Sequence, residues 1–220
     1  MSSSNLIRWS GLAALVGGVL MVGLNILEFV LFGSQPDSAA VASSAWIIVE
    51  VSWIVVLLLV LLGLWGLYAR QAGQAGSLGL IAFLVAFIGA VMVFGSAWNE
   101  AFIVPWMVQE APPEFLVFLD NADFSGLLLA AYALSYGLFA LGWSLLGLAS
   151  LRARVLPRGS AVLLVIGAVL FLVLAFLELP FWSVVLGAAL VWMGYALWSG
   201  SGEPALTTKA ANVSRFRHQT

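Results

Sequence analysis

Cysteine is absent from the 220-residue chain, and histidine occurs once, at His218. Without cysteine there can be no disulfide, no thiolate nucleophile and no Cys-ligated metal site. One histidine, placed in a polar tail, provides neither a histidine pair for zinc or haem nor a general base within a folded region. There is also no lysine within an apolar run and no glycine-rich phosphate loop. We therefore expect a protein without catalytic activity and without a cofactor.

Charge is scarce as well, because only 8% of the residues are charged and 63% are hydrophobic. Soluble globular chains carry about 25% charged residues, which excludes that class here. A bilayer core of about 30 Å needs about 20 apolar residues in helical form. The sequence predicts an all-α polytopic membrane protein: one six-transmembrane-helix bundle over residues 1–200 and a disordered polar tail over residues 201–220. The predicted spans are residues 9–32, 46–68, 78–98, 126–149, 161–177 and 181–198.

Positive charge is missing from one side of this predicted bundle. All Lys and Arg residues fall before the first span or after the second, fourth and sixth: Arg8, Arg70, Arg152, Arg154, Arg158, Lys209, Arg215 and Arg217. By the positive-inside rule these segments and both termini are cytoplasmic. Nine of the ten acidic residues fall on or near the other side. We expect the lipid bilayer as the main partner and no nucleic acid.

Eight of the ten tryptophans fall near the ends of the predicted spans. Aromatic belts of this kind form at the two membrane interfaces, so they support the span boundaries rather than a ligand site. The inner belt would contain Trp9, Trp65, Trp143 and Trp198, and the outer belt Trp46, Trp98, Trp106 and Trp182.

A short pattern, G-[GA]-V-[LM] followed after seven residues by glutamate, occurs in the first, third and fifth spans. It begins at Gly17, Gly89 and Gly167. One interpretation is a threefold duplication of a helical hairpin. The other is coincidence, because the same few apolar residue types dominate all three spans. In either case we predict that these glycines lie at close helix crossings, where small residues let backbones approach within lipid.

Four glutamates lie near the acidic ends of their spans, and no Lys, Arg or His is available there to pair with them. Solvent could hydrate them, or they could be protonated. A hard cation could bind Glu28, Glu50 and Glu100, or a cationic organic ligand could bind in an aromatic-walled pocket. The candidate ligand-binding residues are Asn25, Glu28, Glu50, Trp53, Asn99, Glu100, Tyr132, Tyr136 and Glu178.

Two further features bear on such a site. Tyr132, Ser135 and Tyr136 share one face of the fourth span, where their hydroxyls would either form interhelical hydrogen bonds or line a cavity. Residues 99–125 form a long acidic segment that we predict to be a loop, with Pro105 ending or kinking the third span. This loop is large enough to act as a lid.

Residues 135–170 carry a glycine- and leucine-rich span, then Leu156, Pro157 and Arg158 in a short basic loop, then Leu163, Leu164 and Gly167 in an apolar span. This stretch resembles uncharacterised bacterial six-helix integral membrane proteins, a family with a domain of unknown function. The resemblance implies a bacterial inner-membrane location, multi-pass with the same six-span topology. It implies no activity.

Three functions fit the sequence. The first is an integral membrane binding or accessory protein whose acidic layer binds a cation or a small ligand. The second is a substrate-capture or transport subunit for a small molecule, which an apolar cavity walled by aromatic side chains would favour. The third is a structural subunit of a larger membrane complex, which a large apolar helix face bound to another membrane protein subunit would favour.

Overall fold

A computed structural model describes residues 3–33, 37–110, 114, 117 and 126–200, and all regular structure in them is helical. The predicted all-α class is therefore confirmed, while the predicted tail, residues 201–220, lies outside the described residues. A π-helical turn, Asn99–Ile103, joins the third helix to the fourth. The helices are α1 Ser3–Phe32, α2 Asp37–Val41, α3 Ser44–Trp98, α4 Val104–Glu110, α5 Gly126–Ala153, α6 Arg158–Phe176 and α7 Val184–Trp198.

Four helices are long and apolar enough to cross a membrane: α1, α3 with its continuation through α4, α5 and α6. The last helix, α7, is apolar but has 15 residues and is therefore about 22 Å long. These lengths and compositions are those of a membrane protein. The second and third predicted spans both fall within α3, which has 55 residues.

The long helix α3 is a hairpin. At Gly76 the backbone leaves the helical region, with φ 58° and ψ −147°, a conformation that glycine adopts without strain. The rings of Tyr68 and Phe83 stack with centroids 4.6 Å apart, although 15 residues of straight helix would separate them by about 22 Å. At the far end the Trp46 indole Nε1 donates to the Glu100 carbonyl oxygen at 2.9 Å. Residues 44–75 and 77–98 are thus two antiparallel arms, here the first and second arm.

The helices pack in a closed ring. α1 packs on α3 and on α7, α3 packs on α5, α5 on α6, and α6 on α7. Within α3, Gly63 of the first arm meets Ala14 of α1, and Gly89 of the second arm meets Phe139 of α5. Chain order and ring order therefore coincide, as expected for antiparallel neighbours joined by short connections.

Glycines allow the closest approaches in this ring. A Cβ on Gly89 would run into the backbone of Leu138 and Phe139, and one on Gly167 would lie 2.6 Å from the Leu186 backbone nitrogen. The third repeated glycine, Gly17, is also buried, with the Leu59 Cβ 3.1 Å from its own added Cβ. All three glycines lie at helix contacts. The threefold duplication itself stays a prediction.

The two ends of the bundle differ in charge. At the basic end, Ser10 of α1 meets Gly66 of the first arm, and the Ser150 hydroxyl of α5 donates to the Gln71 side-chain oxygen at 2.7 Å. The described cations stand at this level: Arg8, Arg70, Arg152, Arg154 and Arg158. At the acidic end, the Trp53 indole nitrogen donates to Glu28 at 3.3 Å. The segregation of charge along the sequence is thus a segregation between two ends of one bundle.

Two sequence expectations are wrong. The segment 99–125 is not a loop from its start, because the helix continues through the π-helical turn to Glu110. Pro105 does not end it, since a π-helical turn directly before a proline takes up the irregular backbone hydrogen bonding. Trp143 does not belong to an interfacial belt either. It is fully buried in the bundle core.

Candidate ligand cavity at the acidic end

A cavity of about 700 Å³ opens at the acidic end of the bundle. Gly33, Asp37 and Glu178 lie at its mouth, and Met21 and Phe139 lie at its floor. Along α1 the rise from Met21 to Gly33 is about 18 Å, more than half of a bilayer core. We refer to this space as the aromatic cavity. Its walls come from α1, α2, both arms of α3, α5, α6 and the turn that follows α6.

Aromatic side chains form most of one wall. The Trp53 and Trp182 rings stack with centroids 5.3 Å apart, and Trp182 meets Phe171 edge to face at 5.1 Å. Phe171 in turn meets Tyr136 edge to face at 5.7 Å. Four rings from the first arm, the turn after α6, α6 and α5 are therefore in continuous contact. Such ring faces carry partial negative charge and attract cations.

Five acidic residues also line the aromatic cavity, whereas no Lys, Arg or His does so within the described residues. Two of the acids accept hydrogen bonds from a neighbouring helix. Glu28 of α1 accepts from Trp53, and Glu100 accepts from the Tyr132 hydroxyl of α5 at 2.7 Å. The five lining acids are Glu28, Asp37, Glu50, Glu100 and Glu178.

Glu50 differs from Glu28 and Glu100 in its hydrogen bonding. Its side chain is only 6% exposed, and no side chain or backbone group in the described part of the chain donates a hydrogen bond to it. It lines the same cavity as Glu28 and Glu100. A buried carboxylate beside two others, with no cation near it, is costly unless a positive charge or a proton compensates it.

Asn25 is the second unsatisfied group. It is 3% exposed, lines the cavity, and its side-chain oxygen has no hydrogen-bond partner among the described residues. The contacts of Ala14 with Gly63 and of Gly17 with Val60 set the antiparallel register of α1 against the first arm. Continued along the helix, this register places Glu28 within one residue of the level of Glu50, and Asn25 about 3 Å deeper than Glu50.

Helical spacing explains why these side chains converge. On α1, Asn25, Glu28, Phe29 and Phe32 follow the i, i+3, i+4, i+7 pattern of one helix face, and all four line the cavity. On the first arm, Glu50, Trp53 and Leu57 follow the same spacing. On α5, Tyr132, Tyr136 and Phe139 do so. Each of these helices therefore presents one face to the cavity.

The structure brings together eight of the nine predicted ligand-binding residues. Asn99 alone does not line the cavity, but its side chain is in hydrogen-bonding range of the Tyr132 hydroxyl. Glu178 stands at the mouth, in the turn after α6, with a positive φ of 53°. The third hydroxyl of the fourth span, Ser135, bonds the Ala131 carbonyl of its own helix and lies outside the cavity.

The metal interpretation of Glu28, Glu50 and Glu100 has no geometric support. Among the described residues no three side chains of His, Cys, Asp or Glu are grouped closely enough to hold a metal ion. Calcium and magnesium need several oxygen ligands at about 2.0–2.6 Å from one point. All three carboxyls line the cavity without forming such a group.

Sequence reasoning missed several walls of the cavity. Trp46 and Trp182, assigned to an interfacial belt, line the cavity instead, which corrects that assignment. Phe29 and Phe32 could have been found, because they share the helix face of Asn25. Phe171 carried no such signal, since nothing in α6 alone shows which neighbour it faces.

Comparisons with protein-family models, with curated proteins and with solved structures gave no match. The resemblance of residues 135–170 to bacterial six-helix proteins therefore stays a prediction. A proposal for the function therefore has to be argued from the lining of the cavity.

Proposed function

We propose that the protein is an integral membrane protein that captures a small, positively charged organic molecule in its aromatic cavity. The observation that carries this proposal is the lining of that cavity: five acids, eleven aromatic side chains and, among the described residues, no cation. A bound cation would supply the charge that Glu28, Glu50 and Glu100 lack. Aromatic faces would add cation–π attraction that strengthens as water is excluded.

The size of the cavity supports an organic ligand. Small-molecule sites occupy about 300–1,000 Å³, and this cavity has about 700 Å³. A bare metal ion would fill a small part of it and would meet no group of three ligands among the described residues. The apolar rings offer burial for the hydrocarbon part of a ligand, and the carboxyls offer a site for its charge.

The packing below the cavity favours capture over free passage. Trp143, Leu64, Leu146 and Leu164 are fully buried between the cavity floor and the basic end. Close-packed protein interiors contain few voids larger than a water molecule. A molecule that enters from the acidic end would therefore stop at the floor, and onward transport would require the helices to move. Association with other membrane protein subunits stays a further proposal.

We place the basic end in the cytoplasm and the cavity mouth on the opposite side of the membrane. The positive-inside rule supports this orientation, because the described Arg residues lie at one end. We count the two arms of α3 as separate crossings and add α7, which would give six crossings with both termini cytoplasmic. A bacterial plasma membrane is the location that the family resemblance implies.

Cysteine labelling tests this topology, since the chain contains no native cysteine. Ser38→Cys, near the cavity mouth, should react with a membrane-impermeant maleimide in intact cells. Ser77→Cys, exposed at the α3 break, should react only after the cells are opened. Labelling of Ser77→Cys but not Ser38→Cys in intact cells would reverse the orientation.

Ligand capture is tested with three compounds that share one apolar body: 3,3-diphenylpropylammonium, 3,3-diphenylpropan-1-ol and 3,3-diphenylpropanoate. Binding to the purified protein in detergent is measured by equilibrium dialysis, and thermal protection is measured in parallel. We expect the ammonium to bind, the alcohol to bind at least about tenfold more weakly, and the carboxylate not to bind. Glu110→Gln, an exposed acid away from the cavity, is the control variant and should change nothing.

The outcomes separate clearly. Equal binding of the alcohol and the ammonium would show that charge plays no part in capture. Absence of binding by all three compounds, or tighter binding of the carboxylate, would contradict the proposed function.

A further inference from the structure

We infer, on the basis of the proposed function, that the captured cation carries N–H groups and binds Glu50 and Asn25 through them. A primary or secondary ammonium, an amidinium or a guanidinium belongs to this class. A quaternary ammonium does not. This inference narrows the ligand from any organic cation to one that donates hydrogen bonds.

The three central carboxyls are not equivalent. Glu28 accepts a hydrogen bond from the Trp53 indole, and Glu100 accepts one from the Tyr132 hydroxyl. Glu50 accepts none from any described residue, although it is the most buried of the three. Buried polar groups in folded proteins nearly always have a hydrogen-bond partner. Among the described residues no donor reaches Glu50, so its partner has to come from the cavity that it lines.

Asn25 gives a second, independent indication. Its side-chain oxygen is buried without a donor in the described part of the chain, on the same cavity wall as Glu50. A half-turn of the terminal amide exchanges its oxygen and nitrogen positions, so the oxygen can face a bound donor. The neutral oxygen would contribute a hydrogen bond without adding another negative charge.

One small cation can satisfy both groups. The register of α1 against the first arm places Asn25 about 3 Å deeper than Glu50. An ammonium presents up to three N–H donors, enough to reach a carboxylate and an amide oxygen at once. Trp53 stands one turn below Glu50 on the first arm and stacks on Trp182, which gives the cation an aromatic face.

A quaternary ammonium would meet only part of this site. It would satisfy the charge and contact the ring faces, yet it would leave Glu50 and Asn25 without donors. Leaving buried acceptors unpaired is unfavourable enough to weaken binding by at least about tenfold. Preference for N–H cations over methylated ones is therefore the measurable consequence.

The test uses full-length protein in detergent and a methylation series: 3,3-diphenylpropylammonium and its N,N-dimethyl and N,N,N-trimethyl derivatives. Dissociation constants are measured by equilibrium dialysis. We expect the trimethyl compound to bind at least about tenfold more weakly than the primary ammonium, with the dimethyl compound, which has one N–H, between them.

Glu50→Gln should weaken binding of the primary ammonium and reduce the difference between the primary and trimethyl compounds. Glu28→Gln is the matched control, because it changes the same charge on a carboxyl that already has a donor. It should weaken all three compounds by a similar factor and keep their order. Unfolding without ligand checks that each variant is folded, and Glu50→Asp replaces Glu50→Gln if that variant does not fold.

Failure of this inference differs from failure of the proposed function. If the three ammonium compounds bind equally while 3,3-diphenylpropan-1-ol binds weakly, capture of a cation stands and the N–H inference is overturned. A methylation preference that Glu28→Gln removes and Glu50→Gln keeps would place the donor contact at the wrong carboxyl. If none of the ammonium compounds binds, both statements are overturned.

Discussion

The same helices are tightly packed at the basic end of the bundle and separated at the acidic end. Towards the basic end, Gly142 of α5 meets the Ala86 backbone, and Gly63 of the first arm meets Ala14. Towards the acidic end, α1, α3, α5 and α6 surround a cavity of about 700 Å³. At these close contacts in the packed half the facing residues are glycine and alanine, whereas most of the cavity wall is formed by tryptophan, tyrosine, phenylalanine and glutamate.

This contrast shows how packed apolar helices can surround an open site. Close backbone contacts below the floor fix the helix positions, since association within lipid depends on packing rather than on the hydrophobic effect. Large side chains above the floor then keep the helices apart. Mutations in the packed half should change stability, and mutations in the open half should change binding.

The largest effect is expected for Gly89→Ala, just below the cavity floor. An added Cβ would run into the backbone of Leu138 and Phe139, which cannot move aside as a flexible side chain could. Overpacking of this kind costs about 1–3 kcal/mol of the free energy of unfolding. Unfolding in sodium dodecyl sulfate, followed by tryptophan fluorescence, measures it.

Gly95→Ala is the matched control on the same arm, because nothing lies within 4 Å of an added Cβ there. Alanine is the better helix former, so this variant should be as stable as the wild type or up to about 1 kcal/mol more stable. A similar loss in both variants would show that Gly89 has no special packing role.

Much of the fold was predictable because each span is recognisable on its own. Apolar length identified the helices, and the gap between the predicted spans 46–68 and 78–98 indicated the turn inside α3. The continuation to Glu110 was not predictable, because Pro105 normally ends a helix and the π-helical turn that accommodates it has no clear sequence pattern. Trp143 was wrongly assigned to the interfacial belt for a related reason. Its position along the span indicates its depth, but not whether its side chain faces the lipid or the bundle core.

The site was predictable only in part. The carboxyls of Glu28, Glu50 and Glu100 stood out because no cation accompanies them, and helical spacing added Asn25 and Tyr136. Phe171 and Trp182 could not be assigned, since their place on the wall depends on the ring order of the helices. That order is a property of the packed bundle and not of any single span.

A smaller difference in stability is expected between two variants that each remove one hydroxyl, one in the packed half and one in the open half. In the packed half the Ser150 hydroxyl is shared between the Gln71 side-chain oxygen, at 2.7 Å, and the Leu146 carbonyl, at 2.8 Å. In the open half Tyr132 donates to Glu100 at 2.7 Å. Gln71 is fully buried, so Ser150→Ala leaves its side-chain oxygen without a donor and should cost about 1–2 kcal/mol. Glu100 lines the cavity, where water can replace the lost hydroxyl, so Tyr132→Phe should cost less than about 1 kcal/mol.

Both variants are measured by unfolding in sodium dodecyl sulfate, with Ser52→Ala as the control. The Ser52 hydroxyl bonds only the Ile48 carbonyl of its own helix, at 2.6 Å, so its loss should leave stability nearly unchanged. Tyr132→Phe should instead alter the affinity for 3,3-diphenylpropylammonium, because it removes a hydrogen bond that holds Glu100 in the cavity wall. If Tyr132→Phe lost more stability than Ser150→Ala, the acidic end would be as rigidly packed as the basic end, and the division of the bundle into a packed base and an open site would be wrong.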